Sequence, residues 1–134
     1  MPADLLLNID VGDLARGIAF YRDAFGLTVS RRLGPGIAEM VGWPVKIYLL
    51  EKAEGTIGAA SEPRRYVRHW TPVHFDVVVE NVDLALTRAV AVGGRAETRM
   101  STYNWGKLVV LSDPFGNGFC LVEFIGRGYD ELAT

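Results

Sequence analysis

His74 and Asp76 lie two residues apart in the run Val73-His74-Phe75-Asp76-Val77-Val78-Val79. Its alternation is that of a strand, so the two side chains share a face. An imidazole beside a carboxylate can move a proton, because the acid orients the ring and steadies its charged form. A half-buried strand histidine bonded to a neighbour explains the same residues without chemistry. An earlier run, residues 5–11, has the same plan: Leu7, Ile9 and Val11 on one face, Leu6, Asn8 and Asp10 on the other. Polar groups on a sheltered sheet face need partners, water or a ligand. Asn8, Asp10 and Asp76 therefore mark a polar binding wall, against the plainer reading of a solvated sheet. Tyr48, Tyr103 and Trp105 could stack on a flat ligand or serve as packing. Cys120, the single cysteine, reads as a small buried hydrophobe, since nothing near it in sequence lowers its pKa.

A repeated unit positions these residues. After strand 5–11, Gly12-Asp13 stops the strand and Asp13 caps a helix whose apolar stripe is Leu14, Ile18, Tyr21 and Phe25. Gly26 closes that helix. Strands are expected at 28–33, 37–41 and 45–51. In the second unit, strand 73–79 leads to the cap Asn81, the stripe Val82, Leu86, Ala89 and Val90, and the stop Gly93-Gly94. Strands follow at 95–98, 107–112 and 118–125. Laying Val11 on Val79 gives an offset of 68 residues, about half the chain. Module one is thus 1–51 and module two 73–134, joined by a polar connector at 52–72 too long for a hairpin turn. The whole is expected to be one α+β domain whose helices cover one face of the sheet. Glu123 should point to the helix side or the edge, without a ligand role.

Composition narrows the function. With 134 residues, 49% apolar and 22% charged, the chain is a globular core-former. A net charge of −2 and scattered basic residues argue against nucleic acid. Arg64, Arg65 and Arg68 read as a solvated loop. No apolar run approaches the ~20 residues of a membrane span, and the start lacks the charged-then-apolar pattern of a secretory signal. The lone cysteine fits a reducing compartment, so a cytoplasmic protein is expected. The glycines of Gly34-Pro35-Gly36 and Asp113-Pro114-Phe115-Gly116-Asn117 are turn residues, not a phosphate loop.

The stretch Val11-Gly12-Asp13-Leu14 through Phe20-Tyr21-Arg22-Asp23-Ala24-Phe25-Gly26-Leu27 resembles a signature of the vicinal oxygen chelate (VOC) superfamily. So do Trp105-Gly106, the Asp113–Asn117 turn and Cys120-Leu121-Val122-Glu123. That superfamily holds glyoxalase I, bleomycin resistance proteins, fosfomycin-resistance enzymes and extradiol dioxygenases. The resemblance covers nearly the whole chain. It implies two βαβββ modules forming a half-barrel around a cavity, as in the glyoxalase/bleomycin resistance/dihydroxybiphenyl dioxygenase-like fold, and pairing of two copies as a homodimer.

In metal-using members, the resemblance implies, inward His, Gln or Glu side chains hold one divalent ion that chelates a substrate's adjacent oxygens. Carried over, those positions fall on Leu6, on His74, near Tyr48 and on Cys120. An aliphatic side chain cannot coordinate a cation. His74 with Cys120 could hold a soft ion such as zinc, but two ligands make a weak site. The leading expectation is therefore a protein that binds a small organic molecule without a cofactor, through Asn8, Asp10, Tyr48, His74, Asp76, Trp105 and Cys120. The alternatives are a lyase, transferase or dioxygenase built on a divalent metal at His74, and a metal-independent enzyme in which His74 and Asp76 are catalytic.

Overall fold

The computed structural model describes residues 3–134, which divide into two compact units, one ending at Val67 and one beginning at Arg68. In the first, β1 (Leu6–Val11) leads to α1 (Leu14–Phe25), then β2 (Thr28–Arg32), β3 (Ile37–Val41) and β4 (Lys46–Glu51). The strands order as β1-β4-β3-β2, with β1 parallel to β4 and the others antiparallel. Asp13 accepts from the Arg16 amide at 3.0 Å, and Gly26 at φ 74° ends the helix. Leu14, Ile18, Tyr21 and Ala24 on α1 are buried, as are Ile9, Val11, Ala38, Met40, Ile47 and Leu49 on the strands. At Gly17 an added Cβ would stand 3.0 Å from Val11, which is why the helix can lie so close to β1.

Residues 52–67 belong to this first unit rather than standing apart as a linker. They contain a hairpin, β5 (Ile57–Ala59) and β6 (Glu62–Pro63), where a polar connector was expected. Arg64 is likewise no solvated residue: its guanidinium meets Asp10 at 2.8 Å.

The second unit holds β7 (Phe75–Val78), α2 (Val82–Ala91), β8 (Arg95–Ala96), β9 (Ser101–Thr102), β10 (Gly106–Ser112) and β11 (Gly118–Phe124). A single-turn 3-10 helix, Gly128–Glu131, follows. The strand order is β7-β11-β10-β8, with β9 also on β10, and β7 parallel to β11 just as β1 is to β4. His74 lies one residue ahead of β7, not within it, and strand 95–98 shortens to β8. Val90 is 47% exposed and leaves the buried stripe, which Val82 and Ala89 carry. No helix among the described residues is long and apolar enough to cross a membrane.

The two units share a device that reaches beyond the helix caps. Glu51, at the end of β4, accepts from the Leu14 amide at 2.7 Å; Glu123, near the end of β11, accepts from the Val82 amide at 2.9 Å. Each carboxylate thus satisfies the first free amide of the helix in its own unit, where the helix dipole favours negative charge. Truncating either one, Glu51→Ala or Glu123→Ala, is expected to cost about 1–2 kcal/mol in urea denaturation. The Gln variants should recover most of that loss, since they keep the acceptor.

Candidate functional site

The face of each sheet turned away from its helix carries the polar residues. In the first unit the register places Asn8, Tyr48 and Glu39 side by side across β1, β4 and β3. Glu39 is only 4% exposed, an uncommon state for a carboxylate, and four donors explain it. Arg31 gives two bonds, Nε to Oε1 at 3.0 Å and Nη2 to Oε2 at 3.1 Å. Ser30 Oγ donates at 2.7 Å and the Tyr48 hydroxyl at 2.6 Å. A register shift between Val29 and Arg31 lets the consecutive residues Ser30 and Arg31 both reach Glu39. Arg31 first, then Tyr48 and Ser30, hold the carboxyl at about 2, far below its ordinary value. The bond to that carboxylate in turn holds the Tyr48 phenol above its usual range.

Glu39 is the residue the sequence reading missed. The available signal was a lone acid in strand 37–41, on the face opposite Ala38 and Met40. Of the expected wall residues, Asn8 and Tyr48 stand together, whereas Asp10 is engaged by Arg64.

In the second unit the parallel pairing of β7 and β11 sets Asp76 opposite Cys120. His74 Nε2 lies 3.5 Å from Asp76 Oδ1, and donor atoms of His74, Asp76 and Cys120 all fall within 4.8 Å of one another. The Trp70 ring stands 5.6 Å from the imidazole. Cys120 is buried; burial first, and then the charge and hydrogen bond of Asp76, push its thiol up to about 11. A free thiolate nucleophile is therefore disfavoured there. Arg68 is tied to Glu97 at 2.6 Å, so it too departs from the expected solvated loop.

Trp105 does not join this group. It stacks on Tyr103 with centroids 5.1 Å apart and touches Tyr129 and Phe124. It lies five positions before Val110, the partner of Cys120, roughly 17 Å along a strand. The turn Asp113–Asn117 is held by Asp113 itself, which accepts from the amides of Phe115 and Asn117 at 2.8 and 3.0 Å.

A model of the glyoxalase-like domain matches residues 7–122, most of the chain. The protein belongs to the glyoxalase-like domain family. It is thus a member of the VOC superfamily, with that superfamily's mixed α/β fold. A glyoxalase family protein from Bacillus cereus superposes with a TM-score of 0.72 at 21% identity, over 92% of this chain and 94% of that one. The fosfomycin resistance protein FosX of Listeria monocytogenes gives 0.71 at 16% identity, over 93% and 95%. A variant of FosX has been solved with Mn(II) and a dihydroxypropylphosphonic acid. Lactoylglutathione lyase from Agrobacterium tumefaciens gives 0.62 at 25% identity, over 92% and 95%. No curated protein matches the chain in sequence.

The donor chemistry of this glyoxalase-like domain does not fit the four-position metal set that the superfamily resemblance implies. In the first unit the two positions are Leu6, whose side chain has no donor atom, and one near Tyr48, whose hydroxyl is committed to Glu39. In the second unit they are His74 and Cys120, a nitrogen and a sulfur. Hard cations such as Mn(II) favour oxygen-rich sets, and this is not one.

Proposed function

We propose that this glyoxalase-like domain binds a small organic molecule on the polar sheet faces that its helices leave uncovered. Hydrogen bonds and a fixed cation hold the ligand, without a hard divalent ion at the four positions of the resemblance. The Asn8–Tyr48–Glu39–Arg31 row carries this reading. A buried carboxylate with four donors adds nothing to an apolar core, yet it immobilises everything around it. Arg31 is 63% exposed while two of its donors are pinned on Glu39, so its outer edge meets solvent already oriented. A ligand bearing a carboxylate or phosphoryl-type group finds a guanidinium whose ordering cost has been met in advance.

The test is an amide-resolved NMR titration with a panel of small carboxylates, phosphonates and aromatic acids. Saturable shifts at Asn8, Arg31 and Tyr48 are expected with at least one member. The variant Tyr48→Phe removes one of the donors that fix Glu39, and through it Arg31, and should weaken that binding roughly fivefold to tenfold. Shifts that never saturate, or that cluster away from this row, would remove the reading.

A second reading has its own observation. The facing His74 and Asp76, 3.5 Å apart, could move a proton on a bound substrate. His74→Ala would then keep ligand affinity and lose turnover.

A further inference from the structure

We infer that the ligand of the first unit is an amphipathic monocarboxylate, an aryl or medium-chain acid whose carboxylate meets Arg31 and whose apolar body lies on Ile37 and Leu50. The inference rests on the binding proposed at the Asn8–Tyr48–Glu39–Arg31 row and adds what kind of molecule that row takes.

The register lays out the uncovered face beside the row. Ile37 on β3 stands opposite Leu50 on β4, and Leu50 stands opposite Asp10 on β1. Ile37 is two residues from Glu39 and Leu50 two from Tyr48, so alternation puts both on the face that carries the polar row. Their neighbours turned toward the helix, Ala38 and Leu49, are wholly buried, whereas Ile37 and Leu50 stay half-buried. An apolar pair thus remains partly in water beside a guanidinium that is already oriented. Covering it with hydrocarbon is favourable in proportion to the area removed from water.

The strip is bounded at both ends. Arg31 stands at one, in β2; at the other Arg64 and Asp10 form an ion pair at 2.8 Å, drawn in by the arm that follows the β5–β6 hairpin. From β2 to β4 is two strand spacings, roughly 10 Å. That length takes a ring with a short side chain, or a medium alkyl chain. A longer chain would have to lay methylenes against the Asp10–Arg64 pair, where burial costs rather than gains.

Charge selects one carboxylate over a dianion. Glu39 already occupies one edge of the Arg31 guanidinium through two bonds, at 3.0 and 3.1 Å. A group arriving at the outer edge meets that buried negative charge across the guanidinium plane, and a dianion meets it twice over. Arg64 is engaged by Asp10 and offers little to offset the second charge. A planar monocarboxylate also matches the planar guanidinium better than a tetrahedral phosphonate does.

The experiment titrates the full chain at neutral pH, followed by amide NMR, with acetate, butanoate, hexanoate, octanoate and decanoate. Benzoate, benzamide and phenylphosphonate form a second set. Affinity should climb roughly twofold to fourfold per methylene and level off between octanoate and decanoate. Shifts at Ile37 and Leu50 should appear with hexanoate and be absent with acetate. Benzoate should bind at least about tenfold more tightly than benzamide, which lacks the charge, and more tightly than phenylphosphonate. Leu50→Thr and Ile37→Thr, at half-buried positions where strand-forming residues are kept, should each weaken hexanoate severalfold and leave acetate unchanged. A flat affinity along the chain series, equal binding of benzamide, or tighter binding of phenylphosphonate would overturn the inference. If the acids saturate at Asn8, Arg31 and Tyr48 but gain nothing from chain length, the row binds anions and only the amphipathic ligand is wrong. If none of them saturates there, both readings fall.

Discussion

Replacing Glu39 by glutamine is expected to remove a large part of the acid sensitivity of the fold. The carboxyl's ordinary value is 4.5, and the folded protein holds it at about 2. A group depressed in this way stabilises the native state fully above its unfolded value and ceases to do so as pH falls through its folded value. The contribution of Glu39 is therefore complete above pH 4.5 and fades between there and about pH 2. The glutamine side chain of Glu39→Gln has no proton to take up, so thermal midpoints of the two proteins should lie furthest apart near neutral pH and converge across that window. At neutral pH the amide also turns one of its two ends, an NH2 donor, toward donors from Arg31, Tyr48 or Ser30, which lowers stability further. The Tyr48 titration should fall back toward its ordinary value once the anion is gone. A gap between wild type and variant that stays constant over the whole pH range would show that Glu39 is not the group being protonated.

Why Glu39 escaped the sequence reading is a matter of register. Within the strand it sits among Ile37, Ala38, Met40 and Val41, and alternation alone gives it a face but no company. Its partners come from two neighbouring stretches: Ser30 and Arg31 through a register shift in β2, and Tyr48 through the β3–β4 pairing. Strand pairing is a non-local property, and a register shift leaves no mark in periodicity. The same reason separates the legible from the hidden half of the second cluster. His74 and Asp76 share a face by spacing alone, while the approach of Cys120 depends on β7 lying parallel to β11.

Local signals served better. Asp13 and Asn81 cap their helices as expected from side chains that accept from free amides, and Gly26 takes the left-handed conformation that its position suggested. The faces of β1 were legible too, with Ile9 and Val11 buried and Leu6 54% exposed. The β5–β6 hairpin failed for a local reason of its own. Its two-residue loop is Ala60-Ser61, with Ala60 at φ 53°, where Asn or Gly is the usual signal. For Trp105 the sequence left stacking on a ligand and packing side by side, because its ring partners Tyr103, Phe124 and Tyr129 are brought to it by strand pairing and the chain's last turn.

Gly106 offers a test that links strand spacing to the start of a helix. A Cβ there would stand 2.5 Å from the Glu123 carbonyl oxygen and 3.4 Å from the Phe124 Cα. Both are backbone atoms, and Gly106 pairs with Phe124 across β10 and β11, so relief requires the strands to part. Gly106→Ala should therefore cost about 3 kcal/mol in denaturant unfolding, at the upper end of overpacking penalties. Gly106→Val should cost little more, because the clash arrives with the first carbon. The displaced backbone belongs to Glu123, whose side chain holds the Val82 amide at 2.9 Å. Hydrogen exchange at Val82 should accelerate in Gly106→Ala, under conditions where Leu14, held by Glu51 in the first unit, keeps its protection. If alanine is accepted without loss of stability, Gly106 does not set the β10–β11 spacing. If Val82 and Leu14 lose protection together, the effect is global unfolding rather than a local path from strand to helix.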